Sequence, residues 1–207
     1  LTHIRHSEKV FNMKRLLLVL ILTFTFQSWA KTDDIRDFEI EGMSIGDSLL
    51  DYFEKNEIKE VYVYPNKKFA LHYGFLNNSK IYDGFQAYYL QNDKKYIIQF
   101  LAGKILYKND TIKNCYKKMY EISQEIKKQM SGAKYQDDGI RTHPGDPTGK
   151  STGHQIFFTF INGSEIAISC MDYSKEKQKD GTHTDNLSVN IRSKIFAEFL
   201  NSDEAYK

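Results

Sequence analysis

Cys115 and Cys170 are the two cysteines of this 207-residue chain. Cys115 falls on the apolar stripe of a helical pattern, and Cys170 is in phase with Ile166 and Ile168 on a strand pattern. If that helix packs on that strand, both thiols point into one interface, and a disulfide between them is the expectation. In the chain-entropy view, such a bridge across a loop of about 55 residues contributes ~4 kcal/mol. Phe158 and Phe160, read as the opposite face of the same hairpin, are also apolar and leave open which face meets the helix. The competing reading is two buried, reduced thiols acting as small apolar groups.

Four histidines follow residue 30: His72, His143, His154 and His183. None is spaced from another as His-x-x-x-His, so no metal and no cofactor is expected. His143 and His154 flank a long polar stretch, and His183 lies in a second one. Together with Asp138 and Asp172 they are the residues from which a small hydrolase-like site would assemble. Asp137 and Asp138 are adjacent loop carboxylates, whereas acid/base pairs that span a substrate come from separate elements.

Residues 145–152, Gly-Asp-Pro-Thr-Gly-Lys-Ser-Thr, invite a phosphate-loop reading. That motif needs four residues between its first glycine and the Gly-Lys pair, and here Gly145 and Gly149 enclose three. No apolar strand precedes it and no helical pattern follows, so it reads as a flexible loop. No Gly-x-Ser-x-Gly elbow occurs, and Asn162-Gly163-Ser164 is a turn. Tyr82, Phe85, Tyr88 and Tyr89 could present rings to a glycan or peptide, but rings in such a run more often cover a core. Residues 174–180 read as a solvated charged loop.

The elements that must position these groups follow from periodicity. Ser44 reads as the cap of a first helix, with Asp47 reaching back to its N–H and Ile45, Leu49, Tyr52 and Phe53 on one face. Residues 61–64 and 69–73 read as strands about a Pro65-Asn66 turn, and 85–90 and 96–106 as a hairpin turning at 91–95. Asn109 or Asp110 then caps the strongest amphipathic helix, with Ile112, Cys115, Met119, Ile122, Ile126 and Met130 on its apolar side. Residues 134–153, with Pro144 and Pro147, read as a long loop. Two apolar runs, 155–161 and 164–172, meet at Asn162-Gly163, a strong hairpin signal. Leu187, Val189 and Ile191 alternate as a last strand, and Ser193 caps a short C-terminal helix carrying Ile195, Phe196, Phe199 and Leu200.

Residues 13–30 have the three-part layout of a secretory signal peptide: Lys14 and Arg15, an uncharged apolar run, and Ser28-Trp29-Ala30 before a cleavage between Ala30 and Lys31. The run of about eleven apolar residues is short for a bilayer ~30 Å thick. Residues 1–12 read as an over-extended translation ahead of Met13. Residues 31–207 carry 25 basic and 26 acidic side chains, which leaves no electrostatic footprint for nucleic acid. Export places Cys115 and Cys170 in an oxidising compartment.

Residues 35–53 (Ile-Arg-Asp-Phe-Glu-Ile-Glu-Gly-Met-Ser-Ile-Gly-Asp-Ser-Leu-Leu-Asp-Tyr-Phe), Asn114-Cys115-Tyr116-Lys117-Lys118 and Thr184-Asp185-Asn186-Leu187 resemble a group of small exported proteins of marine bacteria. That resemblance implies export and no particular activity. Gly42-Met43-Ser44 and the residues after it are similar to the opening of the small outer-membrane assembly lipoproteins, without their lipid-carrying cysteine. This implies a binding or assembly module.

The expectation is therefore an α+β domain over 31–207: an antiparallel sheet with two main helices packed on one face and a short C-terminal helix. The two halves each read as a helix followed by strands. The expected role is a periplasmic or secreted, non-catalytic module that binds another protein or an envelope component. A small periplasmic hydrolase and a leader-anchored form of the binder are the alternatives. The expected recognition surfaces are an exposed sheet face and the 134–153 stretch.

Overall fold

Strand-forming stretches rich in Tyr, Phe and Ile dominate the chain, and they pair into one sheet. The computed structural model describes residues 34–75, 79, 81–107, 112–179, 181 and 183–206. The expected leader, its expected Ala30–Lys31 cleavage point, residues 1–12 and the expected caps Asn109 and Asp110 lie outside the described residues.

The strands are β1 (Tyr62–Val63), β2 (Phe69–Phe75), β3 (Gly84–Leu90), β4 (Ile98–Leu106), β5 (Lys134–Thr142), β6 (Thr152–Thr159), β7 (Glu165–Asp172) and β8 (Asn186–Arg192). They form an eight-stranded sheet in the order β1-β2-β3-β4-β8-β7-β6-β5, and every neighbouring pair is antiparallel. Two four-stranded meanders thus meet along β4 and β8, and the strand order of one half mirrors that of the other. The helices are α1 (Ile112–Gln129), α2 (Lys175–Gln178) and α3 (Lys194–Leu200). The broad α+β reading fits this architecture.

The helix placement differs from expectation. α1 is the amphipathic helix and buries Cys115, Met119, Ser123 and Ile126. It packs on β7 and β8, against a core with Ile166, Ile168, Cys170, Leu187 and Val189. The expected first helix is absent. Gly46 takes φ +95°, which ends any helical run. The backbone there pairs instead with the start of β4: Gly46 N–H donates to Ile98 O, Ile98 N–H to Asp47 O, and Leu49 N–H to Tyr96 O. What remains helical is one 3₁₀ turn, Leu49–Asp51, capped by Ser48. Asp47 does accept from the Ser44 N–H at 2.8 Å, but the Ser44 hydroxyl donates to the Arg36 and Phe38 carbonyls and caps no helix. This irregular segment still buries Ile35, Ile40, Met43, Ile45 and Leu49 on the first meander, in the same core as α1.

α3, capped by Ser193 accepting from the Phe196 N–H, packs on the opposite face. There Phe196 and Phe199 join Phe69, Phe100 and Ala102 in a second core. Phe100 and Ala102 alternate with Leu101 of the first core, so the two helices lie on opposite faces.

Two further expectations change. Residues 134–142 are the edge strand β5, not loop. As an edge it buries little, so its pattern stays polar, and the pairing shifts register between Asp137 and Ile140. Phe158 pairs with Ile166 and shares its face and core, so it does not oppose the cysteine face. At the β6–β7 turn only Gly163 has positive φ (+85°); Phe160 pairs with Ser164 around a three-residue loop, not a two-residue Asn-Gly turn.

Candidate functional site

Alternation on β4, β8, β7 and β6 sends every second side chain to the face away from α1. On that face these strands carry polar residues where apolar ones would be needed for a covered layer. The register lines them up. Gln155 pairs with Ser169, Ser169 with Ser188, and Ser188 with Lys104. Four polar side chains from four neighbouring strands therefore form one row across the sheet, each within side-chain reach of the next. On β3, the row's next position is Gly84, whose missing side chain leaves Gly74 O only 2.9 Å from where a Cβ would sit. The adjacent row runs Gln86, Ala102, Asn190, Ala167.

Three cavities lie along this face and share walls. One of about 230 Å³ is lined by Lys104, Ser169, Ser188 and Asn190 and closed at one end by Phe100 and Phe196. One of about 370 Å³ adjoins it through Gln155 and Met171 and reaches Arg141 and His143. One of about 90 Å³ adjoins it through Gln86 and Lys104 and reaches Tyr73 and Phe75. Together they make a trough from β2 to β5.

Some polar groups in the trough are engaged by the protein. The Ser188 hydroxyl donates to Asn190 Oδ1 at 2.9 Å, and Asn190 Nδ2 donates to Ala167 O at 3.0 Å. Arg192 pairs with Glu165 at 3.3 Å and lies over the Phe157 ring. Others are not engaged. Among the described residues, the side chains of Gln86, Lys104, Gln155 and Ser169 make no hydrogen bond or ion pair with the protein. Burial is the sole cause acting on the Lys104 ammonium, and it lowers its pKa. Asp83 shares the 90 Å³ cavity, and its carboxylate accepts from the Leu106 N–H at 2.7 Å.

The expected hydrolase residues divide between the two faces. His143 and Asp138 line the 370 Å³ cavity; His154, His183 and Asp172 do not. His143 Nδ1 accepts from the Gly145 N–H at 3.1 Å, which leaves the ring proton on Nε2. Burial lowers the His143 pKa, and nearby His183 and Lys177 lower it further. Its ring packs on Tyr173, which packs on His183. Asp138 is held by Gln136 Nε2 at 2.7 Å and by Arg141 at 3.6 Å.

His154 is on the α1 face, beneath Tyr116 and Tyr120, with Nε2 2.6 Å from Asp137 Oδ1. Burial pushes the Asp137 carboxyl up, but the His154 hydrogen bond and the Gly139 N–H outweigh it, and the pKa is lowered. Burial, then Asp185, raises the Asp172 carboxyl.

The 145–152 loop is organised around its own carboxylate. Asp146 accepts from the Thr148 N–H and hydroxyl and from the Ser151 N–H and hydroxyl, so the donors a phosphate would need point at Asp146. On the α1 face, the sulfurs of Cys115 and Cys170 are at disulfide-bonding distance, with Cα atoms 6.0 Å apart. Among the described residues no group of three or more His, Cys, Asp or Glu could hold a metal ion, and no helix is long and apolar enough to cross a membrane.

The row of Gln155, Ser169, Ser188 and Lys104 has no short-range sequence signature. The available hint is that polar residues occupy every second position of apolar strands, as in Asn186, Ser188 and Asn190 of β8. No family model, curated protein or solved structure matches the chain.

Proposed function

We propose that this chain is an exported, non-catalytic binding module whose ligand lies in the trough opposite α1. The observation that carries the reading is the convergence of Gln86, Lys104, Gln155 and Ser169, from four strands, with side-chain donors and acceptors the protein leaves unengaged. Groups of that kind orient a ligand, and rigid central strands hold them in place. Against hydrolysis, the Ser188 hydroxyl faces an amide oxygen and no general base, and His143 Nδ1 is occupied by its own loop. The signal-peptide layout of residues 13–30 and the Cys115–Cys170 pair at disulfide-bonding distance support a periplasmic or secreted location, and the same reading has the leader removed after Ala30.

The test is native mass spectrometry of the protein after incubation with the small-molecule fraction of an envelope extract, followed by amide NMR of the loaded protein. The expected outcome is a retained small molecule, with shifts at Gln86, Lys104, Ser169 and Ser188 and none at Lys117 or Lys128 of α1. Retention of nothing, or shifts confined to the α1 face, refutes it. N-terminal sequencing of periplasmic material starting at Lys31 checks the location.

A further inference from the structure

The chemistry of the trough also restricts its ligand, on the premise that the trough binds one at all. The 230 Å³ cavity around Lys104 is smaller than the ~300–1,000 Å³ of sites for drug-sized molecules, so the part of a ligand that reaches Lys104 is a small one. Its described lining holds two cations, Lys104 and Arg192, and no carboxylate. Arg192 is matched by Glu165. One positive charge is therefore left over, which fits a monoanion. An amino acid is disfavoured, because its ammonium would find no acidic partner in this lining; the carboxylates of the adjoining cavities, Asp83 and Asp138, are engaged by the Leu106 N–H and by Gln136 and Arg141. A phosphate, largely dianionic at neutral pH, would keep one charge unmatched in a partly buried place.

The remaining unengaged groups are neutral: the amides of Gln86 and Gln155 and the hydroxyl of Ser169. Each both donates and accepts, and the ligand groups that match such partners in either sense are hydroxyls. The wall at the α3 end is aromatic. Tyr88 and Phe100 face each other across β3 and β4, with ring centroids 5.4 Å apart, beside Phe196. Such a wall suits the apolar C–H face of a ring whose edge is polar.

We infer that the trough binds a sugar acid of the hexuronate type, with its carboxylate on Lys104, its hydroxyls on Gln86, Gln155 and Ser169, and its ring beside Tyr88 and Phe100. A carboxylate at Lys104 Nζ supplies the counter-charge that the sheet withholds, and so restores the ammonium that burial disfavours. The cavity continues through Gln155 and Met171 toward Arg141. A free uronate and the end unit of an acidic glycan present the same chemistry to it.

The probes are D-glucuronate, D-glucose and acetate, titrated calorimetrically into the full protein, with a trigalacturonate arm. Glucuronate is expected to bind at least ~tenfold more tightly than glucose or acetate, since each comparison removes either a charge-assisted bond or the hydroxyl contacts. Lys104→Met should lose at least ~tenfold for glucuronate while melting no lower than wild type, because it removes a desolvated charge. Gln155→Leu should weaken glucuronate and leave acetate unchanged. Tighter trigalacturonate binding supports the glycan source, and equal binding supports the free acid.

Acetate binding as tightly as glucuronate overturns the inference, since the site then reads charge alone. Glucose binding as tightly overturns it too, and so does an unchanged Lys104→Met. If none of the sugars binds while the extract experiment loads the trough, the ligand class fails and the binding reading stands. If neither binds, both fail.

Discussion

Loss of the Cys115–Cys170 crosslink is expected to destabilise the protein by about 4 kcal/mol. The two residues are 55 apart in sequence, and they tie α1 to β7. The chain-entropy expression for a closed loop of that length gives ~14 cal/mol/K, or about 4 kcal/mol at 25 °C. For a domain of this size each kcal/mol moves Tm by ~2–4 °C, so the shift is about 8–16 °C. Both cysteines are fully buried, so reduction leaves two thiols in an apolar layer and adds little desolvation cost. The assay is circular-dichroism melting with and without a phosphine reductant, beside mass spectrometry of alkylated thiols. Cys115→Ala with Cys170→Ala should fall at or below the reduced wild type, because each truncation also leaves a small void. Two alkylated thiols in the unreduced native protein, or a Tm change under about 3 °C after verified reduction, refutes the reasoning.

Three other outcomes follow from the structure. Asp137 has a lowered pKa, so its contribution is present above the unfolded carboxylate range and is lost as pH falls through the lower folded value; Asp137→Asn should therefore flatten the acid limb of urea midpoints measured between pH 2 and 6, and cost about 1–3 kcal/mol at neutral pH by weakening the bond to buried His154. Lys104 has a lowered pKa, so the unfolded chain binds more protons between the two values and stability rises with pH across that window; an NMR titration of its ε-carbon should give a midpoint below those of the surface lysines, and a midpoint among them would contradict the burial argument. Phe196, 1% exposed in the second core, should cost ~3–5 kcal/mol as Phe196→Ala, read by urea denaturation, and should open the aromatic wall of the trough.

The helical and hairpin periods were readable wherever one face meets a core and the other meets water. The stripe of Ile112, Cys115, Met119, Ile122 and Ile126 announces α1, and Ser193 with Phe196 and Phe199 announces α3. Residues 44–53 misled because their helical spacing is genuine, but Gly46 and the open start of β4 offered the backbone a different set of partners. β5 was invisible because an edge strand with one lightly covered face needs few apolar side chains. The expected site residues His143 and Asp138 do share a cavity, but Lys104, Gln155, Ser169 and Ser188 are drawn from residues 104 to 188 and meet only through the β4–β8 seam, and no local pattern carries that register.

That seam also sets an order of events. Within each meander every strand pairs with its sequence neighbour, so residues 62–106 can form their ladders without the remainder of the chain. In the nascent polypeptide the first four strands emerge early and leave the nine-residue β4 without its second partner until β8 arrives. β4 is then the position where another copy of the chain competes with the native partner, and slow delivery of the C-terminal half lengthens the time during which that competition favours aggregation.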